Sequence, residues 1–180
     1  ANTAGENFII EENTTLYAIW KKPVKLWFNT NCTDVTVKNM PNSEYDKFVG
    51  DRITLADYQK PERDGHVFVG WNKTQTAKTA GSDFTIEDNT TLYAIWKKPV
   101  TLTFDENCTD GTVKNMPNPK VVEGIFSGDY IRFSDYSTPT REGYKFVGWK
   151  TPKTTTKTGF YIEEITTVYA VWTPYVARYD

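Results

Sequence analysis

The stretch Thr15–Val24, with the sequence TLYAIWKKPV, returns letter for letter at Thr91–Val100, and the step from 15 to 91 sets a period of 76. The pair Gly70-Trp71 returns as Gly148-Trp149, two positions later than that period requires. A two-residue insertion near Val121–Ile125 and a matching deletion after Trp149 account for this shift, and we expect both in loops, where the backbone tolerates changes of length. A period of this length is typical of small domains in tandem rather than of a solenoid.

The repeat also sets the predicted domain boundaries. Residues 22–97 and 98–173 form two full repeat modules, and residues 174–180 begin a following segment. Residues 1–21 match the tail of the first module and are therefore predicted to be the tail hairpin of a preceding repeat. Because a hairpin severed from its domain leaves open strand edges, we expect Phe8–Trp20 to pack on the first module or to pair with a neighbouring chain.

Apolar residues alternate with a period of two, which is typical of β-strands. Val24–Phe28 and Val100–Phe104 place valine, leucine and phenylalanine on one face. Thr91–Trp96 is apolar on both faces, which predicts a central strand, and we expect Phe84–Glu87 to form a hairpin with it. Helical signal is limited to short turns at Thr54–Gln59 and Ser134–Ser137, for which Thr54 and Ser134 are candidate caps. The pattern predicts a mainly β fold.

Composition and charge exclude several classes of function. The formal net charge is -2 and the pI is about 5.5, so a basic surface for nucleic acid or anionic lipid is not expected. No apolar run approaches the ~20 residues of a membrane span. His66 is the only histidine, and neither cysteine has a CxxC partner. The sequence therefore predicts no metal site, no cofactor and no catalytic residue, so we expect a protein that is not an enzyme.

Cys32 and Cys108 occupy equivalent positions of separate modules. A disulfide within one module is excluded, and a bridge between them requires Cα atoms within about 7 Å of each other. We predict two unpaired thiols, with cross-linking between chains as the alternative.

The recurring tryptophans allow two interpretations. They could line a carbohydrate-binding face, but Trp71, Trp96, Trp149 and Trp172 fall in phase with the strand cores, which favours burial. Trp27 differs because it alternates outward on its strand and its counterpart is Thr103. We predict that Trp27 is exposed, and contact with a ligand or a neighbouring domain and simple surface packing both stay open for it.

A combination of motifs resembles the Listeria–Bacteroides repeat, a module related to the B repeats of the internalins. The residues that carry the resemblance in the second copy are Gly143, Tyr144, Phe146, Gly148, Trp149, Phe160, Ile162, Val168, Tyr169, Ala170 and Trp172. The first copy departs from the pattern at His66, where the family usually has tyrosine. Both copies also replace the family's Asn-Gly-Gly turn, with Asn31-Cys32-Thr33 and Asn107-Cys108-Thr109, so this turn must be built differently.

The resemblance implies a fold and a setting rather than a chemistry. It implies small β-grasp-like modules, strung in tandem in extracellular, often cell-wall-attached, bacterial proteins, with Gly70, Trp71, Trp96, Gly148, Trp149 and Trp172 as structural positions. We therefore expect a non-catalytic stalk or spacer that presents a distal domain, with neighbouring repeat modules of the same chain as partners. The alternative is an adhesin module that contacts a host glycan or protein through exposed aromatic side chains or strand addition.

Overall fold

The computed structural model describes residues 9, 12–33, 36–110, 112–151, 155–156 and 158–176. These residues divide into two compact units. The first contains the described residues up to Asp64 together with Phe68–Trp96, and the second contains Gly65–Val67 and the described residues from Lys97 onward. Each unit is described by itself.

The first unit is built on one mixed sheet. Its elements are β1 (Pro23–Asn29), β2 (Glu44–Phe48), β3 (Arg52–Ile53), the 3₁₀ turn η1 (Leu55–Asp57), β4 (Val67–Asn72), β5 (Phe84–Thr85) and β6 (Thr90–Lys97). The main sheet has the order β2-β1-β6-β4, in which β1 runs parallel to β6 and antiparallel to β2. A second, two-stranded sheet pairs β3 with β5.

The second unit repeats this plan. Its elements are β7 (Pro99–Asp105), β8 (Val121–Phe126), β9 (Tyr130–Arg132), the 3₁₀ turn η2 (Phe133–Asp135), β10 (Tyr144–Lys150), β11 (Thr155–Thr156), β12 (Gly159–Tyr161) and β13 (Thr166–Pro174). The main sheet has the order β11-β10-β13-β7-β8, and β9 pairs with β12 in a small second sheet. In both units the first and last strands of the module lie side by side and parallel within the main sheet.

Each unit has its own hydrophobic core on one face of its main sheet. In β1 the alternation buries Val24 and Leu26, and in β6 it buries Leu92 and Ala94. Equivalent residues of β7 and β13 form the centre of the second core, together with Trp149. The mainly β prediction and the central position of Thr91–Trp96 are confirmed, because β6 has a strand on each side.

The predicted hairpin of Phe84–Glu87 with Thr91–Trp96 is wrong. β5 lies in a different sheet from β6, and the ladder continues beyond it, since the Ile86 N–H donates to the Asp51 carbonyl at 2.9 Å. A central strand whose two edges are occupied by β1 and β4 has no free backbone groups for a third neighbour. The hairpin predicted for residues 1–21 loses its support for the same reason, whereas their assignment to the tail of a preceding repeat stays a prediction.

The predicted helical turns are single 3₁₀ turns, and their capping differs from expectation. Thr54 precedes η1 without a side-chain capping bond, and the Asp83 carboxylate accepts from the Leu55 N–H instead, at 2.9 Å. Ser134 lies inside η2 rather than at its N-cap, which is Arg132. The predicted insertion site also shifts, because Val121–Ile125 is strand. The offset between equivalent residues of the two units is still 76 at Asn118 and becomes 78 within β8. The two inserted residues therefore lie between Asn118 and that strand.

The described residues of Phe8–Trp20 form no hairpin, since residues 12–20 contain no strand, and the side chains of Leu16 and Trp20 are 72% and 88% exposed. Only the end of the stretch lies against the first unit, where Ile19 and Trp20 line an open hollow with Val49 and Gly50. Residues 1–8, 10 and 11 lie outside the described residues, as do residues 177–180 of the predicted following segment. Pairing with another chain stays a prediction.

Candidate interaction surfaces

The Gly-Trp pairs are features of the backbone and the core. Gly70 and Gly148 have φ values of 153° and 154°, and at Gly148 the β10–β13 register shifts by a bulge. A Cβ at Gly70 would lie 2.5 Å from the Ala80 Cβ, which leaves room only for glycine. In both units the following indole points into the core, and Trp71 and Trp149 are 1% and 2% exposed. Neither ring can stack on a sugar.

Trp96 and Trp172 lie on the last strand of each unit, β6 or β13, which we call the closing strand. Both indoles are half-buried and brace the turn that follows the first strand of the unit, β1 or β7. Trp96 Nε1 donates to the Thr30 carbonyl at 2.7 Å, and Trp172 Nε1 donates to the Glu106 carbonyl at 2.9 Å. Each ring also packs edge-on against a phenylalanine of the neighbouring strand, Phe68 or Phe146, at a centroid distance of 5.5 Å in both units. The indole N–H is therefore used within the unit.

In the turn that both tryptophans brace, Asn31 and Asn107 occupy the asparagine position of the Asn-Gly-Gly pattern, and cysteine and threonine occupy its two glycine positions. Asn31 and Asn107 have φ values of 53° and 50°, in the left-handed region that asparagine tolerates better than most residues. Their side-chain amides donate to the Ala94 carbonyl at 3.1 Å and to the Ala170 carbonyl at 3.0 Å. The turn that the family usually builds with glycines is thus closed by an asparagine that also ties it to the closing strand.

Cys32 and Cys108 follow these asparagines. Both thiols are free and half-buried in the structure. The carbonyl of Cys32 accepts from the Thr30 hydroxyl at 3.3 Å, so this residue also takes part in closing its turn. Whether either thiol forms a cross-link between chains stays a prediction.

Trp27 is half-buried rather than exposed as predicted, and it lies on the side of β1 that faces away from the core. Two neighbours share this outer side. Lys25 is exposed on β1, two residues before Trp27. Its Nζ lies 5.6 Å from the ring centre of Tyr45, and Tyr45 is 62% exposed on the edge strand β2. Lys25, Trp27 and Tyr45 form what we call the outer aromatic surface.

Sequence reasoning missed Tyr45 because EYDKF has no apolar alternation that marks it as a strand. The second unit does not repeat this surface. The pairing of the first two strands places Thr101, Thr103 and Glu123 at the equivalent positions. The outer aromatic surface therefore belongs to the first unit alone.

The second unit contains a charged cluster. Arg141 Nη2 donates to Asp110 Oδ2 at 2.6 Å, and the guanidinium lies over the Tyr144 ring at 3.9 Å. The hydrogen bond from Arg141 lowers the pKa of Asp110 from 3.8 to about 2 and raises the pKa of Arg141. The shift has a structural cause, an ion pair in which the Arg141 side chain is only 14% exposed and lies on an aromatic ring, and the geometry offers no reacting atom.

Cavities add no chemical centre to this picture. In the second unit a shallow hollow of about 300 Å³ is lined by aromatic rings, backbone and hydroxyl groups, including Phe133, Ser134, Phe146 and Trp149. Within the part of the chain that the structure describes, no three His, Cys, Asp or Glu side chains group as metal ligands. Among those same residues, no helix has the length and apolarity to cross a membrane.

Comparison with known proteins identifies the repeat. The family described as "Listeria-Bacteroides repeat domain" matches residues 26–95 and residues 101–171, once in each unit. A protein of Evansella cellulosilytica named "Putative membrane protein" is 29% identical in an alignment of 180 positions, which covers 95% of this chain and 24% of that protein. The chain thus spans about a quarter of the length of this relative. No solved structure matches the chain significantly.

Proposed function

The chain belongs to the Listeria-Bacteroides repeat domain family, which usually occurs in surface proteins, and from that premise we propose that it is a non-catalytic spacer of a bacterial extracellular surface protein. The observation that carries the proposal is duplication with independent cores. Each unit completes its own sheet and buries its own tryptophan, so modules can be added in line without altering those already there. Neighbouring modules of the same chain are the partners that this role requires.

The connection between the units supports a spacer. β6 ends at Lys97 and β7 begins at Pro99, so Lys98 is the one residue between two strands. The Lys98 carbonyl accepts from the Ser127 N–H at 2.9 Å, which ties the connecting residue to the second unit. Proline fixes φ at the start of β7. A connection this short and this constrained favours a semi-rigid joint over a flexible tether.

Solution scattering on the 180-residue chain tests the spacer role. A compact globule of this length has a radius of gyration of about 16 Å. We expect a clearly larger radius, and a broadened distance distribution when a Gly-Ser linker is inserted after Lys98. A radius of gyration near the compact value would overturn the spacer role, because a chain that folds back on itself cannot present a distal domain at a distance.

The outer aromatic surface supports a second role, direct adhesion to a host glycan or protein. It combines a half-buried indole, an exposed phenol and a lysine, and aromatic residues are enriched at binding surfaces. Binding of the chain to a glycan panel and to host cells, with and without Trp27→Thr, tests it. Tyr161→Thr is the matched control, because it removes an exposed aromatic side chain from the second unit. Binding that Trp27→Thr leaves unchanged would contradict adhesion through this surface.

A further inference from the structure

The segment Thr15–Trp20 has the sequence of a closing strand but none of its environment. The same six residues at Thr91–Trp96 form most of β6, where Leu92 and Ala94 are fully buried. In the segment, Leu16 is 72% exposed and Trp20 is 88% exposed. One sequence thus occurs once as a buried central strand and once with its apolar side chains in solvent. Ile19 and Trp20 line an open hollow beside Val49 and Gly50, but Leu16, Tyr17 and Trp20 still leave a large apolar area in solvent.

The turn ahead of the segment already has the geometry found ahead of both closing strands. The Thr14 hydroxyl donates to the Glu12 carbonyl at 3.0 Å. The equivalent bonds, from Thr90 to Asp88 and from Thr166 to Glu164, are each 2.8 Å long. Because this bond spans two residues, it forms without a sheet. The segment therefore has the hydrogen bond that precedes a closing strand and lacks the neighbouring strands with which a closing strand pairs.

The junction after the segment also matches the junction between the two units. The Lys22 carbonyl accepts from the Val49 N–H at 2.9 Å, just as the Lys98 carbonyl accepts from the Ser127 N–H. In both places the second lysine of the Lys-Lys-Pro motif is held by the module that follows. Lys21-Lys22-Pro23 is thus a module boundary of the same construction as Lys97-Lys98-Pro99.

Chain geometry prevents the segment from closing the first unit itself. A closing strand pairs parallel to the first strand, as β6 does over Leu26–Asn29. Parallel neighbours need a crossover of about a dozen residues or more. Only Lys21 and Lys22 separate Trp20 from Pro23, where β1 begins. The first and second units, moreover, already contain β6 and β13.

We propose that Thr15–Trp20 is the closing strand of a third module of the same family, located on the N-terminal side of the first unit. Leu16 and Ala18 fill the core of that module, and the Trp20 indole N–H donates to the turn after its first strand, as in the two described units. The inference rests on the repeat and its geometry, and it holds even if the spacer role fails.

An extended chain tests this assignment. Residues 22–87 are copied ahead of Glu12 in the 180-residue chain, so that Glu12–Trp20 occupies the place of Asp88–Trp96 in the added copy. Hydrogen exchange is then followed at residues 16–20. We expect exchange there to slow on the order of 100-fold or more relative to the 180-residue chain, to the level of residues 92–96. Exchange as fast as in the 180-residue chain would overturn the proposal.

Two variants separate closing by this segment from other effects. Leu16→Asp is expected to leave exchange in the 180-residue chain unchanged and to abolish protection throughout the added copy in the extended chain. Replacement of residues 12–20 by a Gly-Ser sequence should do the same. Leu92→Asp is the matched control and should unfold the first unit in both chains. If the added copy stays protected from exchange with either change in residues 12–20, its closing strand is not Thr15–Trp20. That result would overturn the proposal.

Discussion

The two units share a core and differ on their surfaces. Trp71 and Trp149 are both buried, and the bracing bonds of Trp96 and Trp172 are nearly equal in length. The small second sheets differ strongly. Tyr130 and Tyr161 face each other across β9 and β12, and the equivalent pair across β3 and β5 is Arg52 and Thr85. Positions that face the core are thus constrained by packing, whereas positions that face solvent vary between the copies.

The edges of the main sheets differ in the same way. β2, with the sequence EYDKF, has three charged residues in five, and Lys47 pairs with Glu44 at 3.4 Å. β8, with the sequence VVEGIF, has one acidic residue and is otherwise apolar or glycine, and its Val121 is 45% exposed. Charged residues on an edge strand discourage pairing with foreign strands. The second unit therefore has the edge that is more open to strand addition.

The largest effect is expected from removal of the buried indole in one unit. Trp149→Ala leaves a cavity beside Phe104 and Phe146, whose ring centres lie 4.8 and 5.3 Å away. We expect the second unit to lose about 3–5 kcal/mol of unfolding free energy. Hydrogen exchange under native conditions, read separately for each unit, measures the loss. Trp71→Ala should have the mirror-image effect, and a loss shared by both units in either variant would contradict independent cores.

The turn asparagines should show a smaller and unequal effect. Asn107→Ala combines strain at a positive φ with the loss of the bond to Ala170, for an expected cost of about 2–3 kcal/mol. Asn107→Gly keeps the backbone relaxed and should cost about 1 kcal/mol. Asn31→Ala should cost more than Asn107→Ala, because the Asn31 amide also donates to Gln75 at 3.0 Å. Urea denaturation of the four variants, with Asn31→Gly completing the set, tests the order. Equal losses of unfolding free energy in the alanine and glycine variants would show that backbone strain at the positive φ does not contribute.

The tyrosine pair should contribute less. The rings of Tyr130 and Tyr161 meet edge to face at 5.0 Å on the exposed side of the small sheet. Replacing both by the residues of the first unit, Tyr130→Arg with Tyr161→Thr, should cost the second unit about 1 kcal/mol. Thermal unfolding of the double variant and of each single variant gives the coupling between them. Additive single effects would mean that the rings do not stabilise the sheet together.

The smallest effect concerns pH. Because Arg141 lowers the pKa of Asp110 from 3.8 to about 2, the ionised pair stabilises the second unit above the ordinary pKa of an aspartate. This contribution should disappear as the pH falls from about 4 to about 2. Arg141→Gln should remove that component of the pH dependence from urea denaturation. Lys120→Gln, which breaks the exposed ion pair with Glu106, is the control and should leave the component in place.

Prediction from sequence succeeded where a local pattern coincided with the final environment. The alternation in Val24–Phe28 gave β1, and the doubly apolar Thr91–Trp96 gave the central strand. β2 was missed because its charged sequence carries no apolar alternation, although pairing with β1 makes it a strand. The predicted hairpin failed because neighbours in sequence were taken as neighbours in the sheet. Hydrogen bonding between Ile86 and Asp51, distant in sequence, decided the position of β5.

The sequence by itself determined the module. The period, the exact return of TLYAIWKKPV and the Gly-Trp motif were sufficient for the family, the tandem arrangement and the mainly β fold, because they come from local spacing and from which side chains can be buried together. Only the tertiary structure decided which strands pair and which tryptophans reach solvent. It also gave one six-residue sequence two environments, buried at Thr91–Trp96 and exposed at Thr15–Trp20. The physical reason is that a strand is completed by partners far along the chain, and its own residues cannot supply them.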